Sequence, residues 1–182
     1  GLSGILIPEE YGGSNFGLSG IGVVLQELGR TLTPSPLFAT AVLGASLISK
    51  LGTDEQKKKY LPEIANGNLT CCFAFEEGPR HNPKISEVTA EKKGEKFLIN
   101  GKKCFVVDGG FADLIIIAAK SSKSTSLFLA QKDSKGIEVK EAKMVDSRNS
   151  ANILFTGIEI NSENVLGEID NAQDTIEEVL DI

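Results

Sequence analysis

The residues best suited to chemistry lie in a polar, proline-broken loop that follows an apolar stretch of the chain. Glu76 and Glu77 have the composition of an acid/base pair, but adjacent strand residues point to opposite faces. These two carboxylates therefore cannot flank one bond. Arg80, His81 and Lys84 form a small basic cluster that could attract an anionic ligand. A solvated turn in which His81 does no chemistry is an equally good interpretation of the same residues.

Metal and disulfide chemistry are disfavoured by the cysteine pattern. Cys71, Cys72, Cys104 and the single histidine lack the paired spacing of a zinc site, so we expect no metal centre. Three cysteines are too few, and odd in number, for a disulfide framework, which favours a reducing compartment. The glycine pairs of the chain do not form the strand-to-helix phosphate fingerprint of a Rossmann fold.

The composition indicates a globular protein and sets its class only loosely. The chain has 182 residues, of which 41% are hydrophobic, enough for a sizeable core in one or two domains. A net charge of −6 argues against general nucleic-acid binding, which needs a basic face. The first residues show no signal-peptide pattern, and no apolar run approaches the ~20 residues of a membrane span. We therefore expect a cytoplasmic protein without a membrane span.

The hydrophobic period is helical up to about residue 68. A single apolar stripe runs along Ser19–Arg30. That stripe consists of Ile21, Val24, Leu25 and Leu28. A second helix, rich in small residues, is predicted over Pro36–Leu51. Thr53 and Gln56 have the spacing of a capping box that starts a third helix, and Pro62 is expected to stop or kink it.

From Leu69 onward the pattern changes to short strands bounded by turn residues. The predicted strands are Leu69–Phe75, Ile85–Ala90, Lys96–Ile99, Lys103–Val107, Leu114–Ala119, Ser126–Gln131, Gly136–Lys140 and Asn152–Ile160. Asn100-Gly101 gives the best local hairpin signal, because both residues accept positive φ. Short strands at such close spacing indicate an antiparallel β barrel or sandwich.

A last helix is predicted near the end of the chain, with Asp170 or Asn171 as its cap. Its apolar side, formed by Ile176, Val179 and Leu180, has nothing after it to cover it, so we expect an exposed stripe that favours self-association. The predicted fold class is α+β: N-terminal helices, then the β barrel or sandwich, then the first helix of a truncated all-α domain. The expected domains are a partial helical domain over residues 1–68, a β domain over 69–167 and the start of a C-terminal helical domain over 168–182.

Four sequence blocks in fixed order carry a family resemblance. They are Ile7–Gly13, Leu51–Pro62, Cys72–Pro83 and Asn100–Asp113. Their succession resembles the acyl-CoA dehydrogenases, flavoproteins of fatty acid metabolism. The resemblance implies an FAD-dependent oxidation of an acyl-CoA thioester at Cα–Cβ, an electron-transfer flavoprotein as acceptor, and a homodimer or homotetramer. The family's catalytic base lies in the C-terminal domain, so no residue of this chain is assigned as catalytic.

The resemblance also assigns cofactor-binding positions. These are Phe73, Phe75, Glu76, Phe105, Val106 and Val107. The first three fall where the family lays backbone and side chains against the flavin ring, and the last three fall where it flanks the ring and reaches N5. Val107 has no hydroxyl, so a side-chain hydrogen bond to N5 is impossible here. The alternative interpretation is that these apolar residues are ordinary strand core.

The resemblance implies a substrate-binding loop around Arg80, His81 and Asn82. Asn82 occupies a position where the family has a serine, and the basic residues could attract an anionic CoA. The loop departs from the family pattern, as Val107 does. A second hypothesis therefore stays open: a non-catalytic partner subunit of a heteromeric acyl-CoA dehydrogenase-like complex.

Overall fold

The structure is a computed structural model that describes residues 1–85 and 87–182, and its first part is helical. The helices are α1 (Gly17–Arg30), α2 (Ala45–Leu51), α3 (Asp54–Ala65) and α4 (Gln173–Leu180). Single 3-10 turns occur at Leu2–Gly4, Glu9–Tyr11 and Ser162–Asn164. Within the described residues, no helix is long and apolar enough to cross a membrane.

The helices begin and end only in part where the sequence predicts. Thr53 accepts a hydrogen bond from the Gln56 amide, and the Gln56 side chain accepts one from the Thr53 amide, so the predicted capping box starts α3. Pro62 does not stop this helix, which continues for three more residues to Ala65. The predicted helix Pro36–Leu51 is divided, because π-helical turns over Phe38–Gly44 precede α2.

The π-helical segment packs directly on the first strand. The Thr40 hydroxyl both donates to the Cys71 carbonyl and accepts from the Cys71 amide, at 3.2 and 3.1 Å. A Cβ on Gly44 would lie 2.7 Å from Cys71 Cβ, so only glycine permits this approach. The small residues of the segment thus bring helix and strand together.

The described residues contain eight strands, which form one sheet. They are β1 (Cys71–Ala74), β2 (Thr89–Lys93), β3 (Lys96–Val107), β4 (Leu114–Lys120), β5 (Thr125–Gln131), β6 (Ile137–Lys143), β7 (Asn149–Asn161) and β8 (Val165–Leu166). The order is β6-β7-β3-β2-β4-β5-β8, with β1 paired to β4. Residue 86, inside the predicted strand Ile85–Ala90, lies outside the described residues.

The predicted fold class is confirmed: helices come first, then a β region whose described residues contain no α-helix, then a short helix. The sheet is open and mixed, because β1 runs parallel to β4 and Thr89 of β2 pairs parallel with Lys120 of β4. Its other pairings are antiparallel. The period-2 pattern shows that strands exist, but not their directions, so the parallel pairs were not predictable.

The hairpin prediction at Asn100-Gly101 is wrong, since β3 runs unbroken through both residues. The Asn100 side chain accepts a hydrogen bond from the Gly157 amide at 2.8 Å, which ties β3 to β7 at a register shift. Gly101 has φ of 132°, and a Cβ there would lie 2.8 Å from Val88 Cα. Glycine here marks an irregularity and a close backbone approach, not a turn. The turn between β2 and β3 instead contains Gly94, at φ of 62°.

The last helix closes the helical side of the core. Ile176 and Val179 are buried, at 0% and 1% exposure, in the cluster that α2, α3 and one face of the sheet also form. The prediction of an exposed stripe is therefore wrong for these two residues, and of the three only Leu180 is exposed, at 41%. The sequence could not show that α2 and the sheet of the same chain supply the covering surface.

Asp170 does not cap α4, whose first flanking residue is Ala172. Its carboxylate instead accepts hydrogen bonds from the side chains of Ser121 and Ser122 and from the amides of Lys123 and Ser124. Although desolvation opposes it, this hydrogen bonding holds the pKa of Asp170 below its usual value. Asp170 thus fastens the β4–β5 turn to the segment that leads into α4.

Candidate functional site

Strand β3 is irregular at the point where the sequence predicts cofactor contacts. Its register with β7 shifts between Lys103 and Val106, so that two residues, Cys104 and Phe105, replace one regular strand residue. Such a bulge leaves an extra residue unpaired and bends the strand. Phe105 adopts φ of 50°, a left-handed conformation that bulky residues rarely adopt. Bulges with unusual backbone angles are common beside functional sites, where they redirect a side chain.

The bulge changes which residues of β3 face inward. Before it, Ile99 and Lys103 are fully buried; after it, Val106 is buried at 2% exposure. Without the extra residue, the period of 2 would have turned position 105 into the core. Phe105 is instead 60% exposed, and Val107 is partly exposed. The side chains of Phe105 and Val107 are available to a ligand, whereas Val106 could offer only its main chain.

The end of β1 has the opposite character. Phe73 and Phe75 are buried at 6% and 5% exposure in the cluster that includes the helices, and their ring centroids lie 5.4 Å apart. Their side chains fill the core, as the packing interpretation expects. A ligand beside this strand would meet the main chain of Phe73 and Phe75, not their rings.

Glu76 lies where the two strand ends meet. Its carbonyl accepts a hydrogen bond from the Cys104 amide at 2.7 Å, which fixes the loop beside the bulge. Its Oε1 lies 2.6 Å from Nδ1 of His81, whose ring centroid is 6.1 Å from that of Phe75. Within the described part of the chain, Glu76 Oε2 is shielded from solvent and has no hydrogen-bond partner. A buried acceptor without a hydrogen-bond partner destabilises the folded protein. A ligand that donates an N–H or O–H to this oxygen would remove that cost, which would favour binding.

The predicted substrate residues are all on the surface. Arg80, His81 and Asn82 are exposed. The Asn82 side-chain oxygen accepts a hydrogen bond from the Lys84 amide at 3.0 Å, so it stabilises the local turn. His81 contacts a predicted cofactor residue, since its Nδ1 lies 2.6 Å from Glu76 Oε1.

A buried ion pair next to this site was not predicted from the sequence. Lys103 is fully buried, and its ammonium donates to the Phe75 carbonyl at 2.8 Å and to Glu77 Oε1 at 3.1 Å. The two Glu77 oxygens also accept from the amides of Val88 and Glu87, both at 2.9 Å. Burial lowers the pKa of Lys103 to about 8, against the opposing effect of the Glu77 carboxylate. The available signal was the inward position of Lys103 in the alternation of β3.

The Gly-rich turn after β3 is anchored to β7. The Asp108 amide donates to the Asn149 carbonyl at 3.0 Å, and the Gly110 amide donates to Asn149 Oδ1 at 2.9 Å. Asp108 is only 4% exposed, and burial raises the pKa of its carboxyl group. The lysine side chain of Lys132 donates to the Gly110 carbonyl. These contacts fix the position of Val107 from its C-terminal side.

Two of the three cysteines are core residues, and Cys104 is partly buried. Cys71 and Cys72 are fully buried, and burial raises the pKa of both thiols, that of Cys72 to about 12. Such thiols remain protonated at neutral pH and are poor nucleophiles and metal ligands. Across residues 1–85 and 87–182, no group of three His, Cys, Asp or Glu side chains could hold a metal ion.

The fold and the site together define the class of protein. A helical segment packs on a mixed sheet, and the bulged end of β3 exposes Phe105 and bonds to the Glu76 carbonyl through Cys104. Residues 1–68 match the model of the acyl-CoA dehydrogenase N-terminal domain, and residues 72–158 match that of the middle domain. The chain belongs to the acyl-CoA dehydrogenase family.

Individual relatives agree with this assignment. The chain is 33% identical over 179 residues to the cyclohex-1-ene-1-carbonyl-CoA dehydrogenase of Geobacter metallireducens, covering 92% of this chain and 47% of that protein. A solved chain from work on the electron transferring flavoprotein of Acidaminococcus fermentans is 30% identical, with a TM-score of 0.90, covering 100% of this chain and 50% of its own.

A glutaryl-CoA dehydrogenase from Mycobacterium smegmatis, in complex with FADH2, shares the fold at 21% identity and a TM-score of 0.90, covering 100% of this chain and 48% of its own. The chain thus spans about half the length of the relatives it matches.

Proposed function

We propose that the protein is an FAD-dependent acyl-CoA dehydrogenase that oxidises the Cα–Cβ bond of an acyl-CoA thioester. The observation that carries the proposal is the bulged end of β3, which exposes Phe105, leaves Val107 partly exposed and bonds to the Glu76 carbonyl through Cys104. Family membership supports the reaction class. A bound flavin would supply the hydride acceptor for the substrate's β hydrogen.

The residues at this site fit a flavin ring in three respects. Phe105 offers an exposed aromatic face, and apolar or aromatic walls are typical of cofactor sites. Glu76 Oε2 is a shielded acceptor that no described residue satisfies, and a ring N–H is a suitable donor. Val107 supplies methyl groups only, so any hydrogen bond to N5 has to come from main chain or water.

The roles proposed for this chain are binding and orientation. Phe105 and Val107 would form one wall of the cofactor site, and the main chain of Phe73, Phe75 and Val106 would border it. Arg80, His81 and Asn82 lie on the exposed side of the same loop, where positive charge would attract the phosphates of CoA. The proposal assigns no catalytic base among these residues and expects it in a C-terminal helical domain.

The proposal includes an organisation into a helical domain over residues 1–68, a β domain over 69–167 and the start of a helical domain over 168–182. The ranges matched by the two family models support a division near residue 69. The proposed electron acceptor is an electron-transfer flavoprotein, and the proposed assembly is a homodimer or homotetramer in the cytoplasm.

The second candidate is a non-catalytic partner subunit of a heteromeric acyl-CoA dehydrogenase-like complex. Two observations favour it: the missing hydroxyl at Val107 and the altered loop, in which Asn82 is committed to a local turn. Such a subunit would keep the fold for assembly, but its own site would no longer bind flavin.

Flavin titration of the full-length protein tests the proposal. We expect stoichiometric FAD binding and bleaching of the flavin's visible absorbance on anaerobic addition of an acyl-CoA. FAD binding without bleaching by any acyl-CoA tested, from short to long chain, would contradict catalysis. Absence of FAD binding, together with assembly with a second subunit, would establish the partner-subunit candidate instead.

A further inference from the structure

The buried pair of Lys103 and Glu77 joins three segments that border the proposed cofactor site. Lys103 belongs to β3 and donates to the carbonyl at the end of β1, on Phe75. Glu77 holds the segment that leads into β2 through the amides of Glu87 and Val88. Both side chains are shielded from solvent, at 0% and 9% exposure. Charged groups are seldom buried so completely unless they are paired, and removing one partner of such a pair leaves an uncompensated buried charge.

The pair lies directly beside the bulge. Cys104, the residue after Lys103, donates its amide to the Glu76 carbonyl at 2.7 Å, and its Sγ lies 3.6 Å from the Glu77 carbonyl. Three consecutive carbonyls, on Phe75, Glu76 and Glu77, therefore contact two consecutive residues of β3. Without the ammonium, the Phe75 carbonyl would lose a charge-assisted bond and the Glu77 carboxylate would be buried without its cation.

We propose that the Lys103–Glu77 ion pair is the positioning element of the cofactor site: it sets the end of β1 against the bulge of β3 and so fixes Glu76 and Phe105 relative to each other. Neither Lys103 nor Glu77 needs to touch the cofactor. We call the contact by which the ion pair holds the end of β1 against β3 the clamp. The clamp is a property of this chain's own residues, and only its role in positioning the cofactor rests on the proposed function.

The first arm of the test uses the full-length protein without flavin. Lys103→Met removes the charge and the donors while keeping an unbranched side chain, and the exposed neighbour Lys102→Met is the matched control. In Lys103→Met, the Cys104, Glu87 and Val88 amides should lose protection from hydrogen exchange by roughly tenfold or more, relative to the core amides of β4. The control should leave all of them unchanged. Equal protection in both variants would overturn the clamp.

The second arm measures the flavin. We expect Lys103→Met to weaken FAD binding by roughly tenfold or more and to alter the visible spectrum of bound FAD, and Lys102→Met to change neither. If Lys103→Met loses protection from hydrogen exchange but keeps its FAD affinity and the spectrum of bound FAD, the positioning role is overturned. Wild-type protein that binds no FAD would refute the proposed function and the positioning role together, and the exchange arm would still decide the clamp.

Two further measurements separate positioning from general destabilisation. If Lys103→Met does not fold, the double variant Lys103→Met/Glu77→Gln removes the uncompensated carboxylate, and its FAD affinity should also be reduced. In the wild type, FAD affinity should fall between pH ~7 and ~9 as Lys103 loses its proton, whereas in the double variant it should stay flat. The groups that face the ammonium are Glu77, Glu76 and Cys104. Parallel profiles of wild type and double variant would contradict the role of the charge.

Discussion

The ends of β1 and β3 lie side by side, yet they use aromatic residues in opposite ways. At the end of β1, Phe73 and Phe75 are buried and contact each other within the helical core. At the end of β3, Phe105 is 60% exposed, and its left-handed φ is held by a bulge. One strand end therefore contributes its aromatic side chains to the core, and the other exposes its aromatic side chain to solvent.

The difference comes from the backbone, not from residue type. An aromatic side chain is more often core than ligand contact, and for β1 that expectation holds. In β3, one extra residue moves the inward position from 105 to 106 and turns the aromatic ring outward. The fixed hydrogen bond between Glu76 and Cys104 then keeps the two ends in contact.

The largest effect on stability should come from truncating a buried aromatic residue at the end of β1. Phe73→Ala should lower the free energy of unfolding by ~3–5 kcal/mol, because it removes a buried ring and leaves a cavity. Phe105→Ala should change it by less than ~0.5 kcal/mol, since most of that side chain is already in water. Urea denaturation of both variants measures the contrast. A similar loss in the two proteins would show that Phe105 is also a core residue.

The sequence predicted the fold class because the change of hydrophobic period near Leu69 depends only on local pattern. It failed where the tertiary contact decided the outcome. Asn100-Gly101 has hairpin chemistry, but Asn100 is used to bond Gly157 and Gly101 to admit the backbone at Val88. Ile176 and Val179 looked uncovered because the covering residues lie far away in the sequence.

The sequence predicted where a cofactor site should lie, but not which way the side chains of those residues point. The family resemblance indicated the ends of β1 and β3 as cofactor positions, a prediction that remains open. It could not show that Val106 faces the core or that Phe105 does not, because a bulge has no local signature here. Lys103 was overlooked because a lysine in a strand usually lies on the solvent face, and its partner Glu77 is a distant residue in a loop.

The next largest effect should come from the Lys103–Glu77 pair, which joins the two strand ends, and it should appear in the pH dependence of stability. Burial lowers the pKa of Lys103 to about 8 from its usual value of 10.5. Between these values the unfolded chain binds a proton that the folded chain has lost, so this group makes stability rise with pH. The free energy of unfolding of wild type minus that of Lys103→Met should increase by ~1–3 kcal/mol from pH ~8 to ~10. A flat or falling difference, measured by urea denaturation across this range, would mean that Lys103 is hydrated or that β1 and β3 are not joined by it.

The exposed ring of Phe105, at the end of β3, should contribute to the affinity for FAD. Phe105→Ala in the full-length protein should weaken FAD binding by ~0.5–1.5 kcal/mol, the range of an aromatic contact, while Phe105→Tyr should retain most of it. Equilibrium titration followed by flavin fluorescence measures both. FAD affinity that is unchanged in Phe105→Ala would place the cofactor elsewhere and leave the outward ring without this role.

The smallest effect concerns Val107, two residues beyond the bulge and partly exposed on the same strand end. If β3 lies along the flavin, Val107 offers N5 only methyl groups, and Val107→Thr adds a hydroxyl donor at nearly constant volume. Valine and threonine are not equivalent in a dry core, but partial exposure and the anchored turn after Val107 should limit the cost to folding. A hydrogen bond of ~1 kcal/mol that is stronger to one redox state shifts a two-electron potential measurably, since ~30 mV corresponds to ~1.4 kcal/mol. Spectroelectrochemical titration of both proteins provides the measurement, with Val106→Thr as the inward-facing control. A potential that does not move, in protein with intact folding and full flavin content, would mean that Val107 does not face N5 and that only Phe105 distinguishes this strand end from β1.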